Sequence, residues 1–73
     1  MQLELSINKS SNVKIDVVDV LGKTVMNVYE SATASGILKK EIPASLLSNG
    51  VYFIRLSAGG KSENYKFNKI FTD

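Results

Sequence analysis

Apolar side chains recur at every second position in at least four stretches of this chain, and backbone-turning residues separate those stretches. Leu3, Leu5 and Ile7 form one such row, Val13, Ile15 and Val17 a second, Tyr52, Ile54 and Leu56 a third, and Tyr65 and Phe67 part of a fourth. A period of two puts alternate residues on one face of a pleated strand and is incompatible with the 3.6-residue repeat of a helix. Strands are therefore expected over residues 2–8, 13–17, 23–30, 37–42, 51–58 and 61–70. Alternation is poorest over 23–30, where a regular strand would put Val25 and Tyr29 on one face and Met26 and Val28 on the other. Residues 31–36 are small and polar and read as a loop. Pro43 ends the fourth strand because proline donates nothing to a ladder, and residues 44–48 have room for one helical turn. Gly59-Gly60 suits a two-residue hairpin, where both central residues need positive φ. Turn signals about every eight to twelve residues predict an all-β, antiparallel β-sandwich of six to seven strands.

Composition narrows the chemistry. At 73 residues the chain has room for one small domain, and a domain of about this size buries only about 60% of the surface its unfolded form exposes. It has no cysteine and no histidine. That removes disulfide staples, thiolate metal ligands, the usual general base and the commonest metal ligand. Nine basic against seven acidic residues give a net charge of +2, too balanced a sum to point to nucleic acid. No apolar run reaches the roughly 20 residues of a membrane helix, so no direct membrane insertion is expected. The first residues, Met1-Gln-Leu-Glu-Leu-Ser, lack the basic start and apolar core of a signal peptide.

Two short signatures invite a functional reading. The first is Asp19-Val-Leu-Gly22-Lys23. Asp at the first position of a type I turn accepts backbone N–H groups two residues on, and Gly at the fourth tolerates left-handed backbone. Lys23 then opens the next strand. A paired-carboxylate site of Asp16 and Asp19 is rejected, because strand residues three apart point to opposite faces. The second signature is Ser48-Asn49-Gly50-Val-Tyr52. Asn49-Gly50 tolerates left-handed backbone and delivers the chain into a strand. Tyr52 has two readings: an ordinary core aromatic, or a tyrosine corner whose hydroxyl ties back to upstream backbone. Both signatures are turn and fold determinants, and neither supplies a nucleophile or base.

Lys61, Lys66 and Lys69 make the last strand basic. Lysine on an edge strand keeps it from pairing with other chains; the sharper reading is that a partner recognises Lys61, Lys66, Lys69 and Ile70. Arg55 alternates away from the apolar row, onto the solvent face with Phe53 and Val51. With no phosphate-cradling glycine loop and no carboxylate pair, the chain is expected to be neither an enzyme nor a cofactor protein.

Taken in order, the 13–25 block, Gly36 before a strand, the 47–56 block, the glycine hairpin and the lysine-bearing final strand resemble the C-terminal sorting domain of cargo exported by the type IX secretion system. The resemblance covers most of the chain. It implies an immunoglobulin-like sandwich of about seven strands and a non-catalytic address label attached to an upstream cargo domain. It further implies transit through the periplasm, recognition by the outer-membrane translocon, removal by a surface sortase, and a final location at the cell surface or outside the cell. Members of that family usually open with a Pro-Asn-Pro motif, which does not precede Gln2 here, so residues 1–73 are expected to form one sorting domain lacking that motif. The chain also runs past Lys69-Ile70 to an acidic Asp73. The alternative is an immunoglobulin-like accessory domain, a spacer or a carbohydrate-binding module with Tyr29, Phe53 and Tyr65 as a sugar platform.

Overall fold

A computed structural model describes residues 1–70; the expectation attached to Asp73 lies outside the described residues. Six strands and one short 3₁₀ turn follow one another: β1 (Gln2–Ile7), β2 (Ser11–Val18), β3 (Thr24–Thr33), β4 (Gly36–Glu41), the turn Ala44–Leu46, β5 (Gly50–Ala58) and β6 (Lys61–Lys69). β1 and β4 form a two-stranded sheet, and β3-β2-β5-β6 a four-stranded one. Every pairing is antiparallel.

One apolar core joins the two sheets. Ile7 and Ile42 come from the small-sheet side, and Val13, Ile15, Val17, Ile54 and Leu56 from β2 and β5. β2 and β5 are the two inner strands of the larger sheet, and they carry the cleanest alternation in the sequence. Ile15, Val17 and Ile42 are wholly buried. At about 25 cal/mol per Å² of apolar surface, these buried side chains hold the sandwich shut.

β3 departs from the regular alternation. Its register against β2 shifts between Ile15 and Asp16 and again between Val17 and Val18. Ile15 faces Tyr29 and Asp16 faces Asn27, so Val28 is extra; Val17 faces Met26 and Val18 faces Thr24, so Val25 is extra. An extra residue bends a strand and re-aims its neighbours. Hence Met26, Val28 and Tyr29 all pack on the core, while Val25 is exposed. The two-face assignment for this strand is corrected accordingly. β3 also runs on to Thr33, through the first half of the segment read as a loop. Lys40 of β4 lies over the Tyr29 ring, 4.4 Å from its centroid, which places β4 above β3.

Candidate functional site

The 19–23 turn is closed by four hydrogen bonds. Asp19 Oδ1 accepts the backbone N–H groups of Leu21 and Lys23, both at 2.9 Å. The Gly22 N–H donates to the Asp19 carbonyl, and the Asp19 N–H to the Lys23 carbonyl. Gly22 has φ +83°, the left-handed backbone that the turn asks of its fourth residue. One carboxylate oxygen and both backbone polar groups of Asp19 thus hold the turn.

The second signature is also structural. The Tyr52 hydroxyl donates to the Ser48 carbonyl at 2.8 Å, the tie-back of a tyrosine corner, and the Tyr52 ring stacks on Phe67 of β6 at 5.7 Å. No residue other than glycine has positive φ among those described. Of the Asn49-Gly50 pair, Gly50 is therefore the residue with positive φ.

Strand register decides which predicted residues meet. Val18 of β2 lies opposite Phe53 of β5, which lies opposite Lys66 of β6. Tyr52 pairs with Phe67 and Gly50 with Lys69. Both signatures, Lys66, Lys69 and the start of β5 therefore share one end of the large sheet, and Ile70 follows β6 there. Lys61 pairs with Ala58 beside the Gly59-Gly60 hairpin, at the other end. The hairpin glycines have φ +57° and +82°, as a tight two-residue turn requires. Lys66 stands on the outer face with Phe53, whereas Lys61 and Lys69 share the inward side with Tyr52 and Ile54, since strand residues alternate. The four proposed recognition residues do not form one row.

On the outer face lies a shallow hollow whose lining includes Val18, Asp19, Val20, Phe53, Arg55 and Lys66. Below it sits a polar cluster that the sequence reading missed. Asp16 is 2% exposed; its Oδ1 accepts from Asn27 Nδ2 at 2.8 Å. Lys14 Nζ stands 3.7 Å and Arg55 Nη2 4.0 Å from its Oδ2. Arg55 also donates to Thr24 Oγ1 at 3.0 Å. Arg55 is thus half-buried and engaged, and not simply a solvent-face charge. The available signal was an Asp and an Arg both breaking apolar runs in the two strongest strands.

The three candidate sugar-binding aromatics are dispersed. Tyr29 is on β3 and packs on the core, Phe53 is on the outer face of β5, and Tyr65 is on β6 at the other edge of the sheet. They build no common platform, so the carbohydrate alternative is not favoured. Tyr29 and Tyr65 carry the shifted ionisations. The hydrogen bond between Tyr29 and Thr33 lowers the Tyr29 pKa against a smaller opposing effect of desolvation, aided by Ser31 and the Lys40 charge. Tyr65 donates to Glu63 Oε2 at 2.6 Å, and that bond together with the Glu63 charge raises its pKa. No group of three or more acidic residues able to hold a metal ion occurs among the described residues.

No curated protein and no solved structure matches this chain. A family does: the sequence model for the secretion system C-terminal sorting domain matches residues 1–70. That match spans both turn signatures and the entire two-sheet fold. The chain belongs to the family of secretion system C-terminal sorting domains, the secretion signals of type IX cargo, whose members direct export to the cell surface or the extracellular space.

Proposed function

We propose that residues 1–73 act as a single, non-catalytic sorting unit that the outer-membrane translocon reads as a folded module in the periplasm. A surface sortase then removes the unit from its upstream cargo. The observation that carries this reading is the gathering of the 19–23 turn, the tyrosine corner, Lys66, Lys69 and Ile70 at one end of the large sheet. A folded module is recognised by surfaces that its register brings together, and this end combines charge with apolar residues as partner surfaces do.

The test fuses the chain to the C-terminus of a periplasm-directed reporter in a type IX-competent host. The reporter should reach the cell surface or medium, in a form shortened by loss of the domain. Lys66→Glu with Lys69→Glu should reduce export more than Lys61→Glu, which alters the far end. A reporter retained in the periplasm with the domain folded would overturn the reading.

A further inference from the structure

The 19–23 turn presents two large apolar residues to solvent. Val20 is 64% exposed and Leu21 89%. Turn tips normally carry Gly, Asn, Asp or Ser, each of which serves the turn geometry. Here Asp19 and Gly22 already serve it, and neither Val20 nor Leu21 packs on the hydrophobic core. Nor is the tip a loosely held loop, since four hydrogen bonds close it. A rigid apolar knob loses little entropy when it docks, the condition under which apolar area converts best into affinity.

The knob stands beside the hollow on the outer face, which Val20 itself helps to line together with Phe53, Arg55 and Lys66. Lys23 follows the tip directly, and neither Lys23 nor Lys66 makes an ion pair among the described residues. We infer that Val20-Leu21 and this hollow form a docking surface for a protein partner that offers an apolar socket rimmed by carboxylates. The knob fills the socket, the partner's rim enters the hollow, and Lys23 and Lys66 meet the acidic groups. Charge complementarity of this kind selects the partner and speeds encounter. A membrane is the weaker match, because a lipid surface has no fixed relief to fill a hollow next to a knob.

The inference rests on the proposal that a partner reads this end of the sheet, and the experiment separates the two. A benzophenone side chain replaces Leu21 in the reporter fusion and, as a control, replaces Ile37, which is 61% exposed on β4 of the small sheet. Irradiation of cells should give one discrete protein adduct from position 21 and none from 37. Lys23→Glu combined with Lys66→Glu should cut that adduct at least tenfold. In the chain without the probe, Val20→Ser with Leu21→Ser should lower export at least tenfold with no change in thermal midpoint, and Ile37→Ser should leave export intact. An adduct to lipid, no adduct, or an adduct insensitive to the lysine changes would overturn the docking surface, whether or not the parent fusion is exported. Failure of the parent fusion to leave the periplasm, with the protein adduct present, would overturn only the export reading.

Discussion

Asp16 and Arg55 stand directly opposite one another on β2 and β5, and the buried carboxylate of the first has the guanidinium of the second 4.0 Å away. Lys14 and Asn27 complete the cluster from β2 and β3. Three adjacent strands thus converge on one acidic group. Removing either member of such a cluster leaves the other in a place that assumed its partner. Arg55→Ala should lower stability by about 1–2 kcal/mol, modest because the guanidinium is partly solvated. In a double-mutant cycle with Asp16→Ala, the coupling should exceed about 0.5 kcal/mol. Urea unfolding of the four proteins measures it, and strictly additive losses would show that the residues act independently.

The 19–23 turn should respond to two different insults. Gly22→Ala meets no atom within 4 Å, so its cost is the left-handed backbone alone, about 1–2 kcal/mol. Asp19→Ala removes the acceptor of two N–H groups and should cost about 1–2 kcal/mol, whereas Asp19→Asn keeps an acceptor oxygen and should cost less. Unfolding midpoints rank the three, and an Asn variant no better than Ala would refute the hydrogen-bond account.

Tyr52→Phe keeps the ring against Phe67 and deletes only the bond to the Ser48 carbonyl. The expected loss is about 1 kcal/mol, or about 4–8 °C in thermal midpoint for a domain of this size. Tyr52→Ala should cost clearly more, since the packing goes as well. Equal losses would mean that the hydroxyl contributes everything and the stack nothing.

Tyrosine ionisation gives a further check. Tyr29 is shifted below and Tyr65 above the ordinary value of 10.0. A spectrophotometric titration should therefore show Tyr29 losing its proton first of the two. Tyr29→Phe should remove the early component, and Glu63→Gln should bring the Tyr65 component down. The linked effects on folding have opposite sign. The folded state favours neutral Tyr65, so that contribution is lost as pH rises from the ordinary value through the raised one. The folded state favours ionised Tyr29, so its contribution is present above the ordinary value and lost as pH falls through the lowered one. An unchanged Tyr65 titration in Glu63→Gln would sink the assignment.

Much of the fold could be read from residues whose job is local. Alternation located six strands because each inner-facing row, such as Val13, Ile15 and Val17, buries its own side chains. Asp19, Gly22 and Gly59-Gly60 announced their turns because backbone φ is set within a few residues. What escaped depends on partners far along the chain. The opposition of Asp16 to Arg55 is a matter of register, and nothing within either strand states it. The bulges at Val25 and Val28 showed only as spoiled alternation, which does not say which way the strand bends. The separation of Lys61 from Lys66 and Lys69, by contrast, follows from strand length alone, since all three sit in one nine-residue strand.

The strand pairings also set an order in time. β2 with β3 and β5 with β6 join neighbours in sequence across short turns. β1 pairs with β4 only across the entire β2–β3 hairpin, and β2 pairs with β5 only across β3, β4 and the 3₁₀ turn. Closing those larger loops costs chain entropy before any contact rewards it, and topologies dominated by such distant pairings fold slowly. By that argument the two long-range pairings, β1 with β4 and β2 with β5, close after the two hairpins, and they limit how soon a newly delivered cargo carries a finished label.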